Sequence, residues 1–281
     1  MPVTEPFSLE SAQATLRGFV TLPDRPGERP AVIICHGFKG FMEWGFFPAL
    51  AELLAQRGFV AVRFNFRGSG MSPGDELVTD LEAFGHATVG GDVADLAQVL
   101  EATGDEIAPG RVDGRRIGVL GHSRGGGAAL LVAHRPDVSA LVTWAAVSGF
   151  DRLSATAKRA WRENGETLIV NARTGQAVAI SSSVLDDLEA HADDYDLIRA
   201  AGRRSCPWLL VHGTDDPTVP FTEARTLADA ASDPFRFLEV SGADHTFGAK
   251  HPFAGPTPQL IEAMNATQEF FLEHLRESPR S

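Results

Sequence analysis

The stretch Ile117 to Gly127, Ile-Gly-Val-Leu-Gly-His-Ser-Arg-Gly-Gly-Gly, constrains this chain more than any other. An apolar run of the kind buried in a sheet leads into Gly121-His122-Ser123-Arg124-Gly125, and an Ala/Leu-rich run with helical character follows directly. The spacing G-x-S-x-G works chemically only where a strand reverses into a helix within about one residue, which holds the serine in a strained backbone conformation with its hydroxyl projecting outward. Gly121 and Gly125 leave room for that reversal. The helix N-terminus would then aim free N–H groups and its positive dipole end at an anion forming beside Ser123. A nucleophilic serine at a strand-to-helix junction is therefore expected.

The rest of the chain supplies the context such a junction needs. Ala14 to Leu22 alternates like a strand, and Pro23 to Pro30 is a Pro/Gly/charged turn. Ala31 to Cys35 is a continuous apolar run, as in a parallel strand covered on both faces, and is followed by the glycine-bearing loop His36-Gly-Phe-Lys-Gly40. Helical spacing over Phe46 to Arg57, a buried run from Phe59 to Phe64, helical spacing over Val89 to Leu100 and a strand from Arg116 to Leu120 continue the alternation. After the helix from Gly126 to Ala133 come strands near Ala140 to Ala146, Trp208 to Val211 and Phe235 to Val240, and a closing helix over about Gln259 to Leu275. Alternation of this kind predicts an α/β fold, a mostly parallel central sheet with helices on both faces and right-handed crossovers.

One segment breaks the rhythm. The stretch between the strands near Val142 and Leu210 is too long for an ordinary connection. Ala155 to Trp161 and Val184 to His191 have helical patterns, and Glu166 to Ile180 reads as a hairpin turning at residues 172–175. The expected organisation is a core of residues 1–147 and 206–281 with a small inserted cap, residues 148–205, over the active-site edge.

Composition narrows the partners. With 281 residues, 43% hydrophobic and 22% charged, the chain has the make-up of a soluble globular protein. A formal net charge of −12 argues against nucleic acid or an anionic membrane as partner, because both need clustered Lys and Arg. Two cysteines imply no disulfide framework, and no C-x-x-C or His/Cys cluster suggests a metal. The first residues lack the basic start and apolar core of a signal peptide, and no apolar run has membrane-spanning length, so a cytoplasmic location is expected. No cofactor is implied. The expected partner is a small-molecule ester, and the sequence leaves room for a homodimer.

A serine hydroxyl becomes a useful nucleophile when a histidine takes its proton, and that histidine needs a carboxylate to fix its tautomer. Of nine histidines, His36, His122, His212 and His245 fall in loops just after strands, where ligands sit in such sheets. His245, in Ser241-Gly-Ala-Asp-His-Thr-Phe247, fits the base best; His36 and His212 each precede a glycine at a strand end and read as loop supports, and His122 as a neighbour of the nucleophile. For the carboxylate the residues leave Asp215, Asp216 and Asp151 open, although adjacent Asp215 and Asp216 cannot both face the histidine.

In the order Ser123, Asp216, His245, with the acid loop His212-Gly-Thr-Asp-Asp-Pro-Thr-Val-Pro220 and the histidine loop Gly242-Ala-Asp-His245, the chain resembles the α/β-hydrolase superfamily. The resemblance runs from about Ala31 to Phe271 and assigns the acid to Asp216. His36-Gly-Phe38 resembles that family's oxyanion loop, which implies backbone N–H donors at Phe38 and Arg124. Asn65-Phe-Arg-Gly-Ser-Gly70 resembles its next loop, with Asn65 where the family more often has Asp. Within the superfamily the chain looks most like small bacterial cinnamoyl or feruloyl esterases that carry a compact cap. It also resembles the dienelactone-hydrolase group, with Ser123 in place of their cysteine, and the catalytic domains of acyl-peptidases, for whose propeller the chain has no room. The implied function is a carboxylesterase working through an acyl-enzyme on short-chain or aryl and hydroxycinnamoyl esters. Phe38, Phe41, Met42, Trp44, Phe46 and Phe47 crowd the oxyanion loop and would wall its pocket, the other reading being that half or more of them are helix core, since Phe46, Leu50 and Leu53 follow helical spacing. The alternatives are a peptidase or amidase, or a thioesterase, with the same triad, and a noncatalytic binding protein on the hydrolase fold.

Overall fold

The computed structural model describes residues 1–10, 14–171 and 174–275. Its centre is β3 (Arg29–Cys35), in which every residue from Ala31 to Cys35 is buried. Side chains alternate across a strand, so Ala31, Ile33 and Cys35 enter one apolar layer while Val32 and Ile34 enter the other. Full burial of Val32, Ile33 and Ile34 contributes roughly 1.5–3 kcal/mol each. A segment used on both faces reads as an unbroken apolar run, which is why it is legible as parallel strand.

Around β3 the chain builds an eight-stranded sheet. Its members are β1 (Val3–Leu9), β2 (Leu16–Leu22), β3, β4 (Val60–Phe64), β5 (Val112–His122), β6 (Ala140–Trp144), β9 (Trp208–Gly213) and β10 (Phe235–Val240), in the order β1-β2-β4-β3-β5-β6-β9-β10. The β1–β2 and β2–β4 pairs are antiparallel and all others parallel. After β3 the chain steps to β4 on one side, then returns to β5 on the other. This reversal makes the β3/β5 junction a topological switch point, where a crevice opens beyond the carboxyl ends of the strands.

Helices cover both faces. On one side α1 (Phe47–Gln56) and α9 (Pro258–His274) bury Phe47, Leu50, Leu54, Leu260 and Phe271. On the other, α3 (Val89–Ala102), α4 (Arg124–Val132), α7 (Leu197–Arg203) and α8 (Phe221–Ala230) bury Leu96, Leu130, Leu197 and Leu227. The architecture is the α/β-hydrolase fold.

Between β6 and β9 the chain forms α5 (Ala155–Asn164), the antiparallel pair β7 (Glu166–Val170) and β8 (Ala177–Ser181), and α6 (Ser183–Ala190). Of the turn expected at residues 172–175, Ala172 and Arg173 lie outside the described residues. Val178, Ile180 and Val184 join Val78 and Phe84 in a third apolar cluster, against which Phe38 and Trp161 pack. The short α2 (Leu81–Gly85) packs on β8, so residues 78–84 support the insertion from outside it. At its other end α7 packs on α4 and α8, placing it in the helical layer of the core although residues 148–205 were expected to form the cap. Its Leu197 and Ala201 are buried there, a tertiary contact that local periodicity does not reveal.

Candidate active site

Ser123 sits between β5 and α4 with φ 57° and ψ −123°. Its N–H donates to Trp144 O at 2.9 Å, and its carbonyl accepts from the N–H groups of Gly126 (2.9 Å) and Gly127 (3.2 Å). A non-glycine residue persists in such a conformation only when its surroundings over-determine it. The turn also demands glycine nearby: a Cβ on Gly125 would lie 2.2 Å from His36 O.

Two loops bring the partners. Asp216 follows β9 and His245 follows β10. Ser123 Oγ–H donates to His245 Nε2 at 3.0 Å, and His245 Nδ1–H donates to Asp216 Oδ2 at 2.7 Å. Asp216 Oδ1 accepts from the N–H groups of Thr218 (2.8 Å) and Val219 (2.9 Å). Burial opposes the Asp216 charge, yet the hydrogen bond from His245, its charge and these two N–H groups hold the carboxyl below the usual aspartate range. Asp215 is turned outward to the Thr214 hydroxyl, and Asp151 pairs with Lys158. Of the three carboxylates open on sequence, Asp216 is the one that meets His245.

The remaining histidines hold loops. His36 Nδ1–H donates to Gly37 O (2.9 Å) and Nε2 accepts from Phe66 N–H (3.1 Å), tying the loop after β3 to the loop after β4. His212 Nε2–H donates to Val219 O at 2.9 Å and braces the acid loop. His122 does more than its sequence position suggests: its Nε2–H donates to His245 O (2.9 Å), and its ring lies 4.8 Å from the His245 ring. Burial, with His245 beside it, lowers His122 to about 3 and keeps it neutral.

The loop after β3 closes the site. Gly40 N–H donates to Gly37 O at 3.0 Å, so Phe38 and Lys39 occupy the corner of a turn. A Cβ on Gly37 would stand 2.8 Å from Ser123 Cβ, which only glycine avoids. Among the described residues, no acceptor engages the backbone N–H of Phe38 or Arg124. The Arg124 side chain points away to a buried pair with Asp92 (2.6 Å) and covers the Phe38 ring at 5.5 Å.

A cavity of about 660 Å³ opens over Ser123 between the core and the insertion. Phe38, Trp44 and Phe47 line it from the sequence-expected wall, whereas Phe41, Met42 and Phe46 are buried in the core instead. The opposite wall comes from Trp161, Ile169, Ile180 and Val184 of the insertion, one from each of α5, β7, β8 and α6. The site thus pairs a hydroxyl with a histidine able to take its proton, a carboxylate to orient that histidine, and free N–H groups beside the reacting position.

A model of the prolyl oligopeptidase family matches residues 44–278, a span containing the elbow, the acid loop and the histidine loop. The chain is 32% identical over 135 residues to 2,6-dihydropseudooxynicotine hydrolase of Paenarthrobacter nicotinovorans, covering 47% of this chain and 32% of that protein. It thus spans about a third of that relative's length. It is 26% identical over 233 residues to the mitochondrial palmitoyl-protein thioesterase ABHD10 of Homo sapiens, covering 77% of this chain and 69% of that protein. Among solved structures, Est1E of Butyrivibrio proteoclasticus with ferulic acid bound superposes with a TM-score of 0.73 at 20% identity, over 96% of this chain and 100% of that one. At that identity the likeness is one of fold.

Proposed function

Because this chain belongs to the prolyl oligopeptidase family of α/β-hydrolases, we propose that it is a serine hydrolase cleaving carboxylic esters of apolar acyl or aryl groups, with Ser123, His245 and Asp216 as its triad. The observation that carries this reading is the unbroken chain Ser123 Oγ, His245, Asp216 at 3.0 and 2.7 Å beneath an apolar cavity.

His245 Nε2 takes the Ser123 proton as Oγ attacks the ester carbonyl, and Asp216 stabilises the imidazolium through Nδ1–H. The N–H groups of Phe38 and Arg124 hold the oxyanion; one such donor is typically worth about 100-fold in rate. His245 then protonates the leaving alcohol, releasing it and leaving an acyl-Ser123 ester. Water, deprotonated by His245, attacks that ester and returns Ser123 with the free acid.

The family match favours a second reading, an amidase or peptidase using the same groups on an amine leaving group. Hydrolysis of p-nitrophenyl esters of increasing acyl length, methyl ferulate, and aminoacyl and prolyl anilides by the wild type and Ser123→Ala separates the two. Ester turnover that falls at least ~1,000-fold in Ser123→Ala supports the esterase. Anilide turnover exceeding ester turnover gives the site to the peptidase reading, and equal inactivity of both proteins on every substrate removes both.

A further inference from the structure

The chain as a whole is acidic, with 37 Asp and Glu against 25 Lys and Arg. The cavity over Ser123 has the opposite bias: Lys39, Arg124 and Arg152 line it, and among the described residues no carboxylate does. Two of these cations are already committed. Arg124 is paired with Asp92 at 2.6 Å, and Arg152 donates to Glu223 at 2.8 Å and to Thr218 O at 3.0 Å. Lys39 differs, for among the described residues it has no hydrogen-bond or ion-pair partner.

Its backbone sharpens the contrast. Lys39 takes a φ of 59° at the corner of the Gly37–Gly40 turn, a left-handed conformation that favours glycine. A long cationic side chain thus occupies a strained position, next to the backbone proposed to hold the oxyanion, where glycine would relieve the strain. Non-glycine residues in such conformations concentrate at ligand sites. Lys39 is an exposed member of the cavity lining, so its charge is open to a ligand and is screened as salt is added.

On the premise that Ser123 cleaves esters, we propose that the cavity takes esters whose apolar body carries a carboxylate, and that Lys39 selects them. The remaining volume, lined by Trp44, Phe47, Phe150 and Trp161, receives the apolar body. Lys39 is a binding group for the substrate's charge and takes no part in bond making.

Matched esters test this at low salt. Mono-p-nitrophenyl glutarate against p-nitrophenyl valerate carries the charge on the acyl side; 3-butyryloxybenzoate against its methyl ester carries it on the leaving group. The wild type is expected to prefer the charged member of at least one pair by roughly tenfold in kcat/KM, with the preference shrinking as salt is added. Lys39→Gly, which suits the backbone, should bring that ratio to about one, and Lys39→Arg should keep it. A ratio near one in the wild type, or a ratio unchanged in Lys39→Gly, overturns the proposal. An equal fall on charged and neutral esters also overturns it, by assigning Lys39 to the oxyanion. Binding of the same intact esters to Ser123→Ala, measured by calorimetry, reads anion preference without turnover. Failure of the wild type to cleave either member of any pair removes the ester-cleaving reading, while equal binding of charged and neutral esters removes the role of Lys39.

Discussion

Asp215 and Asp216 are chemically identical neighbours with opposite fates. Asp216 points inward and takes three hydrogen bonds, from His245, Thr218 and Val219, while Asp215 faces outward and accepts from Thr214. In the proposed mechanism only Asp216 fixes the His245 tautomer. Asp216→Asn should therefore lower kcat by about 10,000-fold, and Asp215→Asn by less than about twofold, in ester hydrolysis assayed side by side. Comparable losses in the two variants would refute the assignment. The residues alone leave Asp215, Asp216 and Asp151 open, because alternation of side-chain direction requires that one of the adjacent pair face in but does not say which; the family resemblance is what points to Asp216. The role of His122 was hidden for a related reason. Its partner is a backbone oxygen, His245 O, and backbone acceptors leave no residue signature.

At the scale of elements, what was legible is what was amphipathic or doubly buried. Strands β3, β4, β5, β6, β9 and β10 were foreseen from apolar runs, with β5 extending beyond the expected stretch at both ends, to Val112 and to His122. The edge strand β1 escaped notice because five of its seven residues are exposed and only Phe7 and Leu9 pack on the core, too few to set a pattern. Helix α2 was missed because it is one short turn held by the Asp80 cap and by packing on β8. The wall that the insertion adds to the cavity was equally invisible, since it depends on how the segment folds back. One carboxylate holds that segment to the core: Asp187 of α6 accepts from Val89 N–H (3.1 Å) and Gly90 N–H (3.4 Å) at the start of α3, and from the Tyr195 hydroxyl (2.9 Å). Asp187→Ala removes an acceptor from a helix N-terminus and should cost about 1–2 kcal/mol in urea unfolding. Faster amide hydrogen exchange over residues 183–196 should accompany it, and unchanged exchange there would mean that Asp187 does not hold the insertion to the core.

The whole molecule carries a built-in acid sensitivity. Burial lowers His36 to about 4 and His122 to about 3, from an ordinary value of 6.5. Between those limits the unfolded chain binds more protons than the folded one, so stability rises with pH. The contribution is complete above about pH 6.5 and is lost progressively as the pH falls toward 4 and 3, at roughly 1.4 kcal/mol per unit for each histidine. Protonation would also cost His36 the Nε2 lone pair that accepts from Phe66 N–H, loosening the two loops it joins. Unfolding free energy should drop by on the order of 2–4 kcal/mol between pH 7.5 and 5, and a flat profile would contradict the buried neutral state of both rings. Over the same molecule, the reversal of strand order between β3 and β5 explains why one crevice gathers loops from four strands, and hence why Phe38, Ser123, Asp216 and His245 converge.

The central claim is that Ser123 is the nucleophile, activated by His245. Its most direct test is reaction with a fluorophosphonate followed by peptide mass spectrometry of the wild type, Ser123→Ala and His245→Ala. One adduct per chain is expected on the peptide containing Ser123, none in Ser123→Ala, and labelling slowed by at least ~1,000-fold in His245→Ala. An adduct on another residue, or labelling of Ser123 at the wild-type rate without His245, would contradict it.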